Sequence, residues 1–302
     1  MKKVFFILSF LVVLNISAQQ NYEWLKIKKY KIATLSDELK ETSGLNFLNG
    51  KLYTFNDGGN TSELFEIDKT TGRIVNKIST GLKNFDWEAL TSDEGNFYIG
   101  DFGNNWGTRK DLKVYIIPSE SAINNQIRYN VSDISTINFQ YPEQTEFIKK
   151  PRNNNWDAES MIFKNGNLHI FTKEWKSFQT NHYKLIPTAS DEIQGAEKLE
   201  TYNLGYLATD ASYYNHKLYI IGYTKKMEVY LTIFNEDENG LFFNKKPSRY
   251  YLGQTSKLSQ IEGIAVNEDG IYISGEEFKY KIFKAKPSFY FIPKEKLPFV
   301  FP

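Results

Sequence analysis

Residues 87–101 decide the fold: they read Trp-Glu-Ala-Leu-Thr-Ser, the turn Asp-Glu-Gly, and then Asn-Phe-Tyr-Ile-Gly-Asp. This pattern of an acid, a short apolar run, a polar turn and a second strand occurs five times along the chain. The acids that start the copies are Glu41, Glu88, Glu159, Asp210 and Glu262, which follow one another at intervals of 47, 71, 51 and 52 residues. Such intervals are typical of the blades of a β-propeller with one insertion.

We therefore predict an all-β fold, a single β-propeller domain over residues 19–302 with five four-stranded blades. Six blades are the alternative, because the interval of 71 residues is long for one blade. We interpret the polar, Asn-rich part of this interval, residues 142–155, as an excursion above the disc. The alternating segment 30–35 has no nearby strand partner, so we predict that it closes the ring by joining the last blade.

Residues 1–18 have the features of a secretory signal peptide: Lys2 and Lys3, an apolar run over residues 4–14, and the small residue Ala18 before a polar stretch. The run is too short to cross a bilayer as a lasting anchor, although a retained signal anchor is the alternative. We expect cleavage after Ala18, a periplasmic or extracellular protein, and no membrane span. The chain has no cysteine, which excludes disulfides and thiolate metal sites.

The charge of the chain limits its partners. A formal net charge of +1 argues against a nucleic-acid binder and against a polybasic membrane binder, since affinity for a polyanion requires an excess of Lys and Arg. We expect a monomer whose partner is a small molecule, a glycan or a protein bound at one end of the channel.

The five repeated acids predict a ring of carboxylates, because a residue that recurs once per blade recurs around one axis. Neighbouring carboxylates repel, so a cation, a basic side chain or protonation must offset their charge. Oxygen ligands on loops are what Ca²⁺ selects, so we predict that this ring binds Ca²⁺. The three histidines are scattered and give no zinc triad. The alternative is that the acids accept backbone N–H bonds or pair with Lys and Arg across the channel.

Further polar and aromatic residues stand at the ends of the repeated strands and are candidates for ligand binding. They are Asn56, Asp57, Trp87, Asp101, Asn104, Trp156, Lys173, Tyr223 and Glu276. The segments at Asp57 and Asp101 are turn-rich and are equally consistent with Asx turns. Lys173 is the only cation of the set, so it either neutralises the acids or holds an anionic group.

Several of these motifs resemble secreted bacterial propellers. Residues 41–45 (Glu-Thr-Ser-Gly-Leu), 86–90 (Asp-Trp-Glu-Ala-Leu), 98–105 (Tyr-Ile-Gly-Asp-Phe-Gly-Asn-Asn) and 261–265 (Ile-Glu-Gly-Ile-Ala) are similar to the phytase-like, or "esterase-like activity of phytase", proteins and to the SdiA-regulated propellers. The resemblance implies acids near the channel that bind calcium and, in phytases, Ca²⁺-assisted hydrolysis of phosphomonoesters. The Lys/Arg-rich phosphate grip of a phytase is absent from matching positions, so no catalytic residue is carried over.

Two functions follow from these observations. We favour a calcium-binding propeller that binds a ligand or a protein without chemistry. The alternative is a Ca²⁺-dependent hydrolase of phosphoric or carboxylic esters or of lactones. A Gly-x-Ser-x-Gly nucleophile elbow is absent from the sequence, and the catalytic residues of such a hydrolase are unknown at this level.

Overall fold

Strands make up nearly all of the regular structure in the computed structural model, which describes residues 22–119 and 128–297. The predicted signal peptide, residues 1–18, lies outside the described residues. The described chain begins with two short strands that join blades formed later, β1 (Glu23–Trp24) and β2 (Lys31–Thr34). Two single turns of 3₁₀ helix flank β2, at Ile27–Tyr30 and Asp37–Leu39.

Five sheets of four consecutive or nearly consecutive strands follow, and we number them as blades I to V. Blade I contains β3 (Thr42–Leu48), β4 (Lys51–Asn56), β5 (Glu63–Ile67) and β6 (Ile74–Ser79). Blade II contains β7 (Trp87–Ser92), β8 (Asn96–Asp101), β9 (Lys113–Pro118) and β10 (Ser135–Gln140). Blade III contains β11 (Ala158–Lys164), β12 (Asn167–Thr172), β13 (Thr180–Leu185) and β15 (Glu197–Tyr202). The intervening strand β14 (Ser190–Gly195) pairs instead with β10 at the outer edge of blade II.

Blade IV contains β16 (Leu207–Tyr214), β17 (Lys217–Tyr223), β18 (Glu228–Asn235) and β19 (Ser248–Gln254), with β1 parallel to β19 at its outer edge. Blade V contains β20 (Gln260–Asn267) and β21 (Gly270–Glu276), a separate hairpin of β22 (Phe278–Tyr280) and β23 (Phe283–Ala285), then β24 (Ser288–Pro293) and β2. Short helical turns lie at Val131–Asp133, Thr255–Leu258 and Lys294–Lys296. Five blades are thus confirmed, and the described residues contain no sixth.

The ring is closed in two ways. The innermost strands β3, β7, β11, β16 and β20 contact one another in sequence, and β20 contacts β3. The N-terminal strand β2 pairs antiparallel with β24, with Thr34 opposite Ser288. The predicted closure by residues 30–35 is therefore confirmed, and it covers the edge that β24 would otherwise expose.

Apolar side chains from adjacent sheets pack into the spaces between the blades. Between blades IV and V, Ile221 and Leu231 pack with Ile264 and Ile273. Between blades I and II, the ring of Trp87 packs edge-on against Phe55, with the ring centres 5.5 Å apart. Because a blade is covered by a neighbour on each face, the second strands β4, β8 and β12 are buried over nearly their whole length.

We call the end of the channel where the innermost strands begin the mouth. The second strand of each blade ends there, because the first two strands pair antiparallel, as Thr42 with Asn56 in blade I. The connection 141–157, which includes the predicted excursion, contains no strand and contacts the loop between β8 and β9 through Arg152 N–H, 2.8 Å from Asn105 O. Among the described residues, the model contains no helix with the length and apolarity needed to cross a membrane.

Candidate metal and ligand site at the channel mouth

A β-bulge at the mouth is the feature that all five blades share. In each blade the first strand carries one extra residue relative to the second strand, and a bulge of this kind twists the strand and redirects the side chain. The bulge residues are Gly44, Glu88, Glu159, Thr209 and Glu262. The structure therefore places three acids at the repeated position rather than five.

Glu41 and Asp210 are displaced from the ring position predicted for them. Glu41 lies three residues before its bulge, its side chain is 44% exposed, and it accepts a hydrogen bond from Asn60 Nδ2 at 2.5 Å. Asp210 follows its bulge by one residue, which changes the face of the strand. The prediction aligned each acid with the apolar run after it, whereas the fold aligns the bulges, so Gly44 and Thr209 are the true counterparts of Glu88.

Asp210 instead binds backbone of two other blades. Its Oδ2 accepts the N–H groups of Ile264 at 2.7 Å and Leu45 at 3.3 Å, and its Oδ1 accepts that of Ala211 at 2.8 Å. Burial nevertheless raises the pKa of Asp210 well above its ordinary value, and these N–H groups oppose the rise. The contacts of Asp210 match the alternative that the acids accept backbone N–H bonds.

Three carboxylates meet at the mouth between blades I and II. Asp57 follows β4, Asp86 precedes β7, and Glu88 is the bulge residue of β7; each offers an oxygen, and these oxygens lie within 4.8 Å of one another. We call Asp57, Asp86 and Glu88 the three-carboxylate cluster. Two glycines allow the approach, because a Cβ at Gly58 or at Gly103 would overlap the carboxylate of Asp86.

The charge of this cluster is not neutralised within the described residues. Glu88 is only 3% exposed, yet in the part of the chain that the structure describes no donor hydrogen-bonds to its carboxylate and no Lys, Arg or His pairs with it. Burial raises the pKa of Glu88 well above its ordinary value, and the charge of Asp57 raises it further. Burial likewise raises the pKa of Asp57 to about 7, against the N–H of Gly58, and the pKa of Asp86 to about 6.

The donor set of the cluster fits a hard divalent cation. A buried carboxylate without a donor, beside two further carboxylates on loops, is the oxygen-rich and irregular arrangement that Ca²⁺ accepts. The cation would offset both the burial and the mutual repulsion that raise the three pKa values. Asp57, Asp86 and Glu88 are the residues that would hold it.

A second cluster, across the channel, carries its own cation. Lys173, at the end of β12, donates to the carboxylate of Glu159, and its Nζ lies 4.9 Å from the ring centre of Trp175 and 5.5 Å from that of Tyr223. Tyr223 donates in turn to Glu262 at 3.3 Å. Burial disfavours the charged form of Lys173, but the carboxylates around it, Glu159 foremost, raise its pKa well above the ordinary value. Glu159 is therefore salt-bridged, which is the pairing that the alternative prediction described, whereas Glu262 accepts hydrogen bonds from neutral donors.

Gln260 connects this second cluster to the last blade. Its Nε2 donates to Glu262 at 2.8 Å and also to Glu276. The structure thus brings together Glu159, Lys173, Tyr223, Glu262 and Glu276, which sequence reasoning singled out separately.

The remaining predicted residues support the loops. Asp101 accepts from Arg109 Nη2 at 2.9 Å, and Asn104 Oδ1 accepts the Arg109 N–H at 3.0 Å. Asn56 Nδ2 donates to the carbonyl of Glu38 at 2.7 Å. These contacts hold the connections that follow β4 and β8, so these side chains support the loops that form the mouth.

The two predicted tryptophans differ from one another. Trp87, a predicted ligand-binding residue, is fully buried between blades I and II, so its ring is not exposed to a ligand at the mouth. Trp156 is partly exposed, stacks on Tyr141 with ring centres 6.0 Å apart, and lines a cleft of about 170 Å³ together with Lys150 and Asn154. The ring of Trp156 is therefore accessible to a ligand bound in this cleft.

Sequence reasoning missed Asp86 and Asp157 as site residues. Asp157 Oδ1 accepts the Asn104 N–H at 2.6 Å, and its Oδ2 accepts from Trp175 Nε1 at 2.7 Å. Both acids stand two positions before a bulge glutamate. The signal that could have found them is the motif Asp-x-Glu, present at residues 86–88 and 157–159.

A cleft opens beside the three-carboxylate cluster. It has a volume of about 330 Å³ and is lined by Asp86, Asn104, Trp106 and Arg109, among others, with Trp106 53% exposed. The cleft gives a ligand access to the carboxylate of Asp86.

Comparison with known proteins finds similarity only among solved structures. No family model and no curated protein matches the chain, so the resemblance to phytase-like and SdiA-regulated propellers stays a prediction. Among solved structures, the β-propeller domain of Swd1 from Myceliophteria thermophila is similar, with 7% identity, a TM-score of 0.41, and coverage of 87% of this chain and 99% of that one. A periplasmic gluconolactonase of Pseudomonas aeruginosa is similar with 13% identity, a TM-score of 0.39, and coverage of 83% and 88%.

Hydrazine synthase of Kuenenia stuttgartiensis also matches, with 9% identity, a TM-score of 0.40 and coverage of 80% of this chain. The present chain spans 56% of the hydrazine synthase chain.

Proposed function

We propose that this protein is an exported β-propeller that binds Ca²⁺ through Asp57, Asp86 and Glu88 and binds a ligand beside the ion at the channel mouth. The observation that supports the ion is the carboxylate of Glu88, which is buried, has no donor among the described residues, and faces two more carboxylates. The position of all three acids on loops or at a bulge favours Ca²⁺ over Mg²⁺, because Ca²⁺ tolerates irregular geometry.

The cleft beside the ion supports binding of a small molecule or a glycan. Its volume suits one or two sugar residues, the exposed ring of Trp106 offers a flat apolar surface, and Arg109 and Asn104 offer donors. A protein ligand would have to reach the same cleft with a side chain. Lys173 pairs with Glu159 at the same end of the channel, so this part of the mouth carries its own cation.

The hydrolase alternative is supported by the position of Lys173. Its charge lowers the pKa of Asp57, so it acts within the electrostatic reach of the three-carboxylate cluster. A cation near a metal site can stabilise an oxyanion that develops in ester or lactone cleavage. Ca²⁺, when bound, would polarise the carbonyl or phosphoryl oxygen.

Titration calorimetry tests the ion. The parent protein should bind Ca²⁺ at one site, Glu88→Gln should lower the affinity by at least about tenfold, which is 1.4 kcal/mol, and Glu238→Gln, a change of an exposed acid, should leave it unchanged. Equal affinity in the parent protein and Glu88→Gln would remove the three-carboxylate cluster from consideration.

Two assays with Ca²⁺ or chelator separate binding from catalysis. A panel of oligosaccharides should show Ca²⁺-dependent binding that Trp106→Ala weakens. A generic phosphomonoester, an aryl ester and a lactone should not be consumed; turnover that is lost in both Lys173→Ala and Glu88→Gln would favour the hydrolase instead.

Export is tested by the mature N-terminus. We expect periplasmic or secreted material to begin at Gln19, and mass spectrometry that finds an intact Met1 outside the cytoplasm would contradict cleavage after Ala18.

A further inference from the structure

The hairpin of β22 and β23 presents apolar side chains to solvent. Ile282 is 87% exposed, and Phe283 and Tyr280 beside it are 49% and 47% exposed. Single exposed apolar residues are common on protein surfaces, but three at one tip form a contiguous apolar patch. The hairpin leaves the propeller after β21 ends at the mouth, so the patch belongs to the mouth side of blade V.

Turn chemistry does not account for these residues. Tyr280 pairs with Phe283, which leaves Lys281 and Ile282 as the two-residue turn, and Lys281 has a φ of 53°. Two-residue turns of this kind favour Asn-Gly or Asp-Gly, and a β-branched apolar residue has no advantage there. The requirements of the turn therefore do not explain why apolar residues occupy the tip of the hairpin.

Lysines surround the apolar tip. The hairpin and its flanks carry Lys279, Lys281, Lys284 and Lys286, all exposed. Lys279 pairs with Glu277, whereas within residues 22–119 and 128–297 the other three have no carboxylate within salt-bridge distance. The hairpin thus combines an apolar tip with a net positive stem.

Neighbouring segments extend the positive surface. The turn Thr255–Leu258 contacts both β23 and the turn Ile27–Tyr30, which places the exposed Lys257 and Lys28 next to the hairpin. A cleft of about 440 Å³ between these segments is lined by the 64%-exposed Trp24 together with both lysines and others.

Lys31, on β2, lies within the electrostatic reach of one lysine from each region. Burial lowers the pKa of Lys31, and the charges of Lys28 and Lys286 lower it further. An anionic partner would relieve this repulsion between like charges.

We propose that the β22–β23 hairpin, with Lys26, Lys28 and Lys257, forms a docking surface for an anionic phospholipid membrane. The rings and the Ile282 side chain would enter the headgroup region, and the lysines would contact lipid phosphates, which is the combination by which peripheral proteins hold a membrane. The net charge of +1 averages over the whole molecule and conceals this local excess. The surface does not depend on the proposed Ca²⁺ site.

Co-sedimentation with vesicles tests the proposal. The purified protein should bind vesicles of phosphatidylcholine with about one-third phosphatidylglycerol and should bind pure phosphatidylcholine at least about tenfold more weakly. Raising the salt from about 0.1 M to about 1 M should release it, because the screening length falls from about 10 Å to about 3 Å. Absence of binding to the anionic vesicles, or equal binding to both kinds, would overturn the proposal.

Variants of the exposed hairpin locate the surface. Loss of one lysine near an anionic surface weakens binding about fivefold, so Lys281→Glu with Lys284→Glu should weaken it about 25-fold or more, and Ile282→Asp should weaken it as well. Control changes at exposed positions outside the docking surface, Lys246→Glu and Val75→Asp, should bind like the parent protein. Hairpin variants that bind as the parent does would place the contact elsewhere and refute the assignment.

A fluorescence experiment tests insertion directly. In Phe283→Trp, brominated acyl chains in anionic vesicles should quench more emission than in the parent protein, whose own tryptophans include Trp24 beside the docking surface. Val75→Trp, on β6, should show no more quenching than the parent protein. An unaltered melting temperature in each variant ensures that a loss of binding reports on the surface, and quenching at Val75→Trp alone would contradict the proposed orientation.

Discussion

Replacement of Glu88 by Gln keeps the shape of a buried side chain and removes its charge, so it separates the electrostatic cost of the three-carboxylate cluster from its packing. Two unit charges 4.8 Å apart repel by about 3 kcal/mol at an effective dielectric constant of about 20. Burial first, and the neighbouring carboxylates in addition, raise the pKa values of Glu88, Asp57 and Asp86, so proton uptake avoids part of this cost. We expect Glu88→Gln to stabilise the metal-free protein by about 1 to 3 kcal/mol at about pH 8, where the acids are most fully ionised.

Calcium should reverse this order. At about 100 times its Kd, a ligand stabilises the native state by about 2.7 kcal/mol, which corresponds to a rise of roughly 5 to 10 °C in Tm for a domain of this size. The parent protein should show this rise over a chelator control, and Glu88→Gln should not. Glu238→Gln, which changes an exposed acid, should behave as the parent protein does.

The measurement is thermal unfolding followed by circular dichroism in chelator and in Ca²⁺. If Glu88→Gln were less stable than the parent protein in chelator at about pH 8, the glutamate would have a native partner and the argument from its unpaired charge would fail. An equal Ca²⁺ shift in both proteins would place the ion at another site.

Three further predictions concern the groups around the cluster. In chelator, the free energy of unfolding should fall as the pH rises from about 4 through about 7. The pKa of Asp57 is about 7 in the folded protein and 3.8 in the unfolded protein, so the folded state holds a proton that the unfolded state releases. Urea unfolding at several pH values measures the slope, and a flat profile would contradict this prediction. Lys173→Met should lower stability by about 3 to 5 kcal/mol, with partial recovery when Glu159→Gln is added, and a double variant no better than the single one would show that the two do not act as a pair. Gly103→Ala should weaken Ca²⁺ binding about tenfold or more because its Cβ overlaps the carboxylates, whereas Gly95→Ala, with its nearest neighbour 3.7 Å away, should not; calorimetry compares the two.

Blade number, the closing strand and three of the five ring acids, Glu88, Glu159 and Glu262, were predictable from the chain because strands, turns and intervals leave local traces. The register was not, because a bulge shifts the pairing by one residue without any residue type that marks it. This shift is why Asp210 was assigned to the ring although it binds the N–H of Ile264, and why Glu41 was preferred to Gly44. Whether an acid is neutralised depends on long-range neighbours, as Lys173 shows for Glu159.

Burial was equally hard to predict at the mouth. The residues next to Trp87 in the sequence do not distinguish a buried tryptophan from an exposed one. The ring is buried because blade I packs against blade II. The β22–β23 hairpin left no trace in the repeat, because it is an addition to blade V outside the four-strand pattern.

The pairing of β2 with β24 also sets the order of events in folding. Lys31 and its partner Tyr290 are 259 residues apart in the chain, so blade V cannot be completed until the segment between them has been made. Contacts of such long sequence separation slow folding, and the edges of the strands stay unpaired until these contacts form. A circular permutant that links β24 directly to β2 would turn this distant pairing into a local hairpin, and it should fold faster while the mouth keeps its arrangement of side chains.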